Sequence, residues 1–203
     1  MTRFDPTGQA PRAIVLASSS PYRYELMQRL GVSFTALAPP VHEDPLTGET
    51  PEALVRRLAK NKARSLATRF PGTLIIGSDQ VAVMPDGKIL NKPSDHAAAR
   101  IQLQACSGRW VSFHTGLCLL DAGNGDIQEQ VVTCEVFFRP LADAEIERYL
   151  LAEQPYDCAG SFKSERLGIS LLRDMRVPDP SALIGLPLIA LSEMLRRAGV
   201  PVP

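Results

Sequence analysis

Short apolar runs alternate along the chain with segments in which apolar residues recur at helical spacing. The apolar runs predict β-strands near Phe34 and at residues 13–17, 74–76, 81–84, 111–120 and 131–138. The helical spacing predicts α-helices at residues 21–30, 51–70, 94–106, 143–153 and 187–198. Alternation of strands and helices is typical of an α/β domain.

Turn and capping residues lie at the boundaries of these segments. Thr50-Pro51 predicts the start of the second helix and Pro71-Gly72 its end, while Gly31 closes the first helix. The stretch Gly123-Asn124-Gly125-Asp126 joins two long strands and predicts an antiparallel hairpin. Because strands joined through helices commonly run parallel, the hairpin makes the predicted sheet a mixed one.

Length and charge narrow the classes of protein. The 203 residues suffice for one α/β domain, and we expect a flexible segment at 1–12, a single domain at 13–198 and a C-terminal tail at 199–203. The net charge is zero, with 22 Lys and Arg against 22 Asp and Glu. A zero net charge disfavours a general nucleic-acid-binding protein, because such proteins hold the phosphate backbone with excess basic residues.

The lack of targeting signals and the spacing of the cysteines both favour a cytoplasmic protein. The sequence contains no apolar run of membrane length and no signal-type segment, so we expect a cytoplasmic protein without a membrane partner. Four cysteines lie mostly in apolar segments without metal-binding spacing, which indicates reduced core thiols; they are Cys106, Cys118, Cys134 and Cys158.

The residues after the first strand have the pattern of an anion-binding helix start. Ser20 is a favourable N-cap and Pro21 fits the first helical position, so Ser18, Ser20 and Arg23 would face one small volume. A phosphate placed there would meet free N–H groups, the positive end of the helix dipole and a guanidinium. The alternative is that Ser20 only caps the helix and Arg23 is solvated.

Charged residues at three further positions could carry chemistry. Lys62 falls on the apolar stripe of its helix, so its ammonium either reaches solvent past the stripe or points into a cleft. Asp79 follows the apolar run at 74–76, where we expect it just beyond a buried strand as a metal ligand or general base; the alternative is a turn cap. Glu43 and Lys92 lie in predicted loops, where simple solvation is the alternative.

Several common catalytic patterns are missing from the sequence. No segment matches the phosphate-binding G-x-x-x-x-G-K-[ST] loop or the G-x-S-x-G nucleophile turn, and the three histidines lack metal-ligand spacing. With these patterns excluded, the candidate groups are the two carboxylates, the three basic side chains and the serine-rich helix start described above. That set suits a nucleoside triphosphate together with a hydrated divalent cation.

Seven short motifs occur in order between Ala13 and Ala198. They are Leu16-Ala-Ser-Ser-Ser-Pro-Tyr-Arg23, Lys62-Ala63, Gly77-Ser-Asp-Gln80, Lys92-Pro93, Ser107-Gly108, Thr115-Gly116 and Gly185-Leu-Pro-Leu188. With this order and spacing, the chain resembles the Maf family of nucleoside triphosphate pyrophosphatases. Ser78-Asp79-Gln80 and Cys158-Ala-Gly-Ser-Phe-Lys-Ser-Glu165 resemble the branch that acts on 7-methyl-GTP, rather than the branch that acts on dTTP and UTP.

The resemblance implies a fold, a reaction and a set of site residues. The implied fold is a mixed α/β sheet with flanking helices and two lobes around a deep cleft, similar to the inosine triphosphate pyrophosphatases. The implied reaction is release of pyrophosphate from a nucleoside triphosphate, dependent on Mg²⁺ or Mn²⁺. The implied site comprises Asp79 as proton acceptor, Glu43 and Asp79 at the metal, Tyr22, Gln80 and Glu165 for base specificity, and Ser18, Ser20, Arg23, Lys62 and Lys92 for phosphate.

Departures from the family pattern leave a second function open. Tyr22 replaces the Trp that is usual in the branch, and His42 stands where an Asp commonly precedes the motif Glu. Tyr24 replaces a second basic residue, and Asn91 replaces a Gly. The alternative function is a catalytically inactive nucleotide-binding regulator linked to cell division. The implied partner is the nucleotide, and the sequence leaves a homodimer open.

Overall fold

A single seven-stranded sheet runs through the part of the chain described by the computed structural model, residues 12–203. Its strands are β1 (Ile14–Ala17), β2 (Thr35–Leu37), β3 (Leu74–Val83), β4 (Ile89–Leu90), β5 (Trp110–Asp121), β6 (Ile127–Phe138) and β7 (Leu172–Arg176). The α-helices are α1 (Pro21–Gln28), α2 (Pro51–Ser65), α3 (His96–Cys106), α4 (Asp143–Glu153), α5 (Pro180–Ile184) and α6 (Leu188–Arg197). Two 3₁₀ turns lie at Ala159–Ser161 and Leu167–Leu171.

Strand direction changes across the sheet. The strand order is β2-β1-β3-β5-β6-β7, with β4 pairing β3 outside this order. β1 runs parallel to both β2 and β3, whereas the β3–β4, β3–β5, β5–β6 and β6–β7 pairs are antiparallel. The predicted mixed sheet and the hairpin between β5 and β6 are therefore confirmed.

Helices cover both faces of this sheet. Alternate residues of a strand point to opposite faces, so Val15 and Ala17 pack with Ala59 and Ala63 of α2, while Leu16 joins the larger core on the other face. That larger core contains side chains from α1, α3, α4, α5 and α6. The predicted mixed sheet with flanking helices is confirmed, with α2 on one face and five helices on the other.

Most predicted elements are present. Several ends are shifted slightly, as for β6, which begins at Ile127 rather than at 131, and two larger differences affect the fold. Thr50 caps α2 by accepting a hydrogen bond from the Ala53 N–H at 3.2 Å, but the predicted end at Pro71-Gly72 is wrong because the helix stops at Ser65. Leu66 still packs in the core, so the apolar spacing continues past the end of the helix. β4, β7 and α5 were not predicted.

The second difference concerns the runs at 74–76 and 81–84. They form one strand, because Gly77–Gln80 continue the antiparallel pairing with β5 between them. Asp79 therefore lies inside β3, and the expectation that it follows the end of a strand is wrong. Its position depends on the pairing with Gly116 of β5, which the polar Ser78-Asp79-Gln80 segment did not indicate.

Both ends of the described chain contact the rest of the fold. The flexible segment expected at 1–12 lies, except for Arg12, outside the described residues; Arg12 binds Asp121 at 2.7 Å. At the other end, Val200 and Val202 pack into the main core. Among residues 12–203, no helix combines the length and apolar character needed to cross a membrane.

Three of the four cysteines are buried free thiols, as predicted. Burial raises the pKa of Cys106 and Cys118 to about 12 and that of Cys134 to about 11. Cys158 is half-buried and lies outside this core group.

Two glycines allow α2 to lie directly on the sheet. A Cβ at Gly77 would lie 2.0 Å from the Ala59 carbonyl oxygen, and one at Gly116 would lie 2.2 Å from the Val55 carbonyl oxygen. Both contacts are with helix backbone, which cannot rotate away as a side chain would. This close approach places the inner face of α2 against the middle of β3.

We expect Gly116→Ala to lower the free energy of unfolding by about 3 kcal/mol, at the upper end of the usual cost of overpacking a core. The measurement is urea unfolding of the two proteins. Gly125→Ala is the comparison for loss of a glycine as such, since a Cβ there meets nothing within 4 Å, although its φ of +84° carries its own strain. A Gly116→Ala protein as stable as the parent would show that α2 can move away from the sheet without cost.

Candidate active site

An opening in the sheet defines the site. Along one edge, β3 pairs with β1 as far as Gly77 and with β4 from Ala82 onward. Between these two positions no described strand pairs with β3 on that edge. A cavity of about 550 Å³ lies at this opening, lined on its sheet side by Ala17, Asp79, Gln80 and Leu90.

Strand alternation sends neighbouring residues of the opening to opposite faces of the sheet. Asp79 points toward α2, in register with Gly77 and Val81, whereas Gln80 points toward α5. The Gln80 amide nitrogen donates to the carbonyl oxygens of Ala182 at 2.8 Å and Leu183 at 3.1 Å. Because no described strand pairs with β3 on this edge between Gly77 and Ala82, side chains from both faces can meet in one cavity.

Lys62 of α2 is buried at the floor of the cavity. Its ammonium nitrogen lies 2.5 Å from Asp79 Oδ1 and 2.6 Å from Glu43 Oε1. The side chain is only 5% exposed, so the ammonium points into the cleft and the alternative of a lysine that reaches solvent is wrong. One ammonium thus connects an acid of the sheet with an acid of the loop between β2 and α2.

The Glu43 carboxylate is held in its charged form. Partial burial opposes that charge, but the hydrogen bond and charge of Lys62, together with Lys92 and Arg23, outweigh burial and lower the pKa of Glu43. Burial lowers the pKa of Arg23, and the charges of Asp79 and Glu43 act in the opposite direction. These groups therefore form one electrostatic cluster although they come from five separate segments of the chain.

The start of α1 has the predicted form. Ser20 caps the helix by accepting a hydrogen bond from the Arg23 N–H at 3.4 Å, and the Ser20 N–H donates to Ser18 Oγ at 3.1 Å. The Arg23 Nε donates to the Gly185 carbonyl oxygen at 2.8 Å. Arg23 is thereby directed along the cavity wall, and its two terminal nitrogens have no hydrogen-bond acceptor among the described residues. Arg23 is thus half-buried along the cavity, rather than extended from the helix into bulk solvent.

All ten predicted site residues surround connected space. Nine of them line the larger cavity: Ser18, Ser20, Tyr22, Arg23, Glu43, Lys62, Asp79, Gln80 and Lys92. Glu165, the tenth, lines an adjoining cavity of about 80 Å³ that shares Tyr22, Arg23, Gln80 and Lys92 with the larger one. The structure thus brings the residues together, and their chemical roles stay predictions.

The smaller cavity has an aromatic and acidic wall. The Tyr22 hydroxyl donates to Asp157 Oδ1 at 3.2 Å, and the Lys163 ammonium lies 5.8 Å from the centre of the Tyr22 ring. Burial, followed by the neighbouring Cys158 and Asp157, raises the pKa of Tyr22 well above its usual range, so the phenol stays neutral. Phe162 and Leu183 supply apolar surface to the same cavity.

Sequence reasoning missed three features of this site. Asp157 lines both cavities but stands just before the recognised motif that starts at Cys158. Ser78, inside a recognised motif, has its hydroxyl within hydrogen-bond distance of the Gly116 and Gly185 carbonyl oxygens. The main-chain carbonyls of the α5 segment that orient Arg23 and Gln80 leave no side-chain signal in a sequence. His42, a departure from the family pattern, is exposed and does not line the cavity.

Glu43 and Asp79 are the candidate ligands for a divalent metal ion. No group of three or more His, Cys, Asp or Glu side chains with metal-binding geometry occurs among residues 12–203. Glu43 and Asp79 offer two carboxylates that carry one excess negative charge after pairing with Lys62. Mg²⁺ is commonly held by one or two carboxylates, with water and substrate phosphate as its other ligands, so this donor set fits such an ion.

The arrangement combines cations for a polyphosphate with a carboxylate for proton transfer. Arg23, Lys62 and Lys92 face the same cavity as Asp79. Asp79 uses Oδ1 for Lys62, and its Oδ2 has no hydrogen-bond partner in the described part of the chain. A water molecule bound at that oxygen would lie within the cavity, which is the geometry required of a general base.

Comparison with known proteins places this site in a family. The sequence model described as Maf-like protein matches residues 13–198. A 7-methyl-GTP pyrophosphatase of Nitrosococcus oceani is 52% identical over 95% of this chain and 96% of that protein. One from Pseudomonas syringae pv. tomato is 54% identical over 94% and 99%, respectively.

A solved structure also shows some likeness. The match to the Staphylococcus aureus Ham1 protein covers 65% of this chain and 73% of that protein, with 15% sequence identity and a TM-score of 0.46. The near full-length relatives and the family match agree with the motifs that surround the cavity, and this chain therefore belongs to the Maf family.

Proposed function

We propose that the protein hydrolyses 7-methyl-GTP to the nucleoside monophosphate and pyrophosphate. The observation that carries the proposal is the buried Lys62 ammonium, which joins Asp79 and Glu43 at the floor of a cavity lined by Arg23 and Lys92. Relatives with more than half their residues identical bear the name of this activity. The enzyme would be a hydrolase of the bond between the α- and β-phosphates.

In the proposed reaction, water attacks the α-phosphorus. Asp79 accepts the proton of that water at its unpartnered oxygen, the new bond to phosphorus forms, and the bond to the bridging oxygen breaks with pyrophosphate as leaving group. Lys62 fixes the orientation of Asp79 by holding its other oxygen at 2.5 Å. The second anchor, Glu43, binds the same ammonium at 2.6 Å.

Basic groups and a helix start bind the polyphosphate in this proposal. The terminal nitrogens of Arg23 and the ammonium of Lys92 stabilise charge that develops on the leaving pyrophosphate. The hydroxyls of Ser18 and Ser20 and the N-terminal end of α1 add hydrogen-bond donors and a favourable dipole. A divalent cation held by Glu43 and Asp79 would neutralise phosphate oxygens.

The base would occupy the smaller cavity. Methylation at N7 gives the guanine ring a positive charge, which favours stacking on the Tyr22 ring. The Glu165 carboxylate would accept hydrogen bonds from the N1–H and the amino group of the base. Gln80 donates its amide N–H groups to α5, so its carbonyl oxygen is the group that remains for the base.

The test is release of pyrophosphate from a panel of nucleotides, namely 7-methyl-GTP, GTP, dTTP and UTP. We expect 7-methyl-GTP to have the highest kcat/KM in Mg²⁺ or Mn²⁺, and activity to be lost in excess EDTA and restored by added metal. An inactive nucleotide-binding regulator would bind 7-methyl-GTP in calorimetry without releasing pyrophosphate. That result, with metal present, would remove the proposed reaction.

The proposed setting is the cytoplasm, where free nucleotides are available. The zero net charge supports a small-molecule substrate over nucleic acid. No membrane partner is proposed.

A further inference from the structure

Asp157 provides a second carboxylate beside Tyr22. It lies between α4 and the 3₁₀ turn at Ala159–Ser161 and lines both the larger and the smaller cavity. Its Oδ1 accepts from the Tyr22 hydroxyl at 3.2 Å and lies 3.4 Å from the Cys158 sulfur. Its other oxygen, Oδ2, has no hydrogen-bond partner in the part of the chain that the structure describes.

The segment that carries Asp157 is anchored on both sides. The Tyr156 hydroxyl lies 2.8 Å from His96 Nδ1, and the other ring nitrogen of His96 lies 2.9 Å from Glu147 Oε1. On the other side, the buried Ser161 hydroxyl donates to Gln102 of α3 at 2.7 Å. Two side-chain anchors therefore hold Asp157 at the mouth of the smaller cavity.

The charge of Asp157 has a direct consequence for a base bound against Tyr22. A hydrogen bond from the phenol to a carboxylate increases electron density on the ring, which strengthens its attraction for a cation. The carboxylate itself also attracts a positively charged base. A neutral base such as guanine gains little from either effect, so the two effects favour the methylated, cationic base selectively.

We propose that Asp157 is a specificity-determining residue, whose negative charge, acting on the base directly and through Tyr22, favours a cationic N7-methylated purine over a neutral one. This inference rests on the proposed function, because it needs the purine in the smaller cavity. It adds a group to base recognition beyond Tyr22, Gln80 and Glu165. Because Asp157 acts through its negative charge, it should favour any nucleotide with a positively charged base, whichever further modification that nucleotide carries.

The test compares kcat/KM for 7-methyl-GTP and GTP in the parent and in Asp157→Asn. The Asn side chain keeps the shape and an acceptor for the Tyr22 hydroxyl but removes the charge. We expect the ratio of the two kcat/KM values to fall about fivefold, in the range for a cation at a partly exposed aromatic site. The value for GTP itself should stay within about twofold of the parent.

Tyr22→Phe separates the two routes by which Asp157 acts. If Asp157 acts through the phenol, Asp157→Asn in the Tyr22→Phe background will change the ratio less than it does in the parent; if it acts on the base directly, the change will be equal. Both results support the proposal. Glu25→Gln is the matched control, because Glu25 is an exposed acid on the same helix as Tyr22 and outside both cavities.

Two results would overturn the role of Asp157. An unchanged ratio in Asp157→Asn would show that its charge does not reach the base, and an equal loss for both nucleotides would show a merely structural role. Either result is distinct from failure of the proposed function, which would appear in the parent enzyme as no pyrophosphate release from 7-methyl-GTP. A fall in the ratio for Glu25→Gln equal to that for Asp157→Asn would also contradict the proposal, because general surface charge would then suffice.

Discussion

Asp79→Asn is expected to lower kcat for pyrophosphate release by about 10²–10⁴-fold, the usual contribution of a positioned general base. The substitution keeps the size of the side chain and an oxygen for Lys62, but an amide cannot accept the proton of the attacking water. Lys62 keeps its second partner, Glu43, at 2.6 Å, so the buried ammonium stays paired. KM should change less than kcat, because the proton is transferred in the chemical step.

Asp44→Asn is the control for Asp79→Asn. Asp44 follows Glu43 in the same loop, is exposed and does not line the cavity, so loss of its charge should leave kcat within about twofold of the parent. Circular dichroism of Asp79→Asn should match that of the parent. Turnover by a folded Asp79→Asn enzyme at the parent rate would exclude Asp79 as the proton acceptor.

Lys62 shows how far pattern alone extends toward the site. The helical period places Lys62 on the same face as Leu58 and Leu66, which conflicts with the cost of burying an unpaired ammonium. Pattern could therefore say that the lysine was unusual but could not choose between solvent and a cleft. The choice depends on Asp79 and Glu43, which lie 17 and 19 residues away along the chain and meet Lys62 only through the fold.

The order of motifs made the family predictable and the hairpin residues at 123–126 made the mixed sheet predictable, whereas the opening beside β3 was not. Residues 78–80 are polar and interrupt the apolar runs, so sequence favoured a break at the point where the strand in fact continues. The pairing of Asp79 with Gly116 is long-range and has no local signature. The main-chain carbonyl oxygens of Ala182, Leu183 and Gly185 likewise hold Gln80 and Arg23 without any side-chain pattern.

Asp157 could not be singled out as a site residue from the sequence. A carboxylate that precedes a motif by one residue has many ordinary explanations in a sequence, among them solvation and turn formation. Asp157 lies 135 residues from Tyr22 along the chain. The two side chains meet only because the segment after α4 packs near the start of α1. In the proposed site, the base would therefore be recognised by residues from distant parts of the chain, whereas the helix start proposed to bind phosphate is local in sequence and could be predicted.

Lys62→Met is expected to remove activity and to lower the free energy of unfolding by about 3–5 kcal/mol, as when one partner of a buried ion pair is removed. Methionine retains most of the volume and apolar contacts of the lysine stem. The cost arises at Asp79, which is 10% exposed and loses its cationic partner, whereas Glu43 is 59% exposed and can be hydrated instead. Urea unfolding in EDTA measures the effect without a metal ion that could replace the ammonium.

The double variant Lys62→Met with Asp79→Asn tests whether the loss of stability comes from the unpaired carboxylate. Removal of that charge should restore about half of the stability lost in Lys62→Met, the remainder being the cost of a buried amide without its partner, and activity should stay absent. Arg56→Met is the control on the same helix: Arg56 is exposed, and loss of its charge should cost less than about 1 kcal/mol. If the double variant is no more stable than Lys62→Met, the loss comes from packing of the lysine stem, and Lys62 is not the counter-charge that makes a buried Asp79 tolerable.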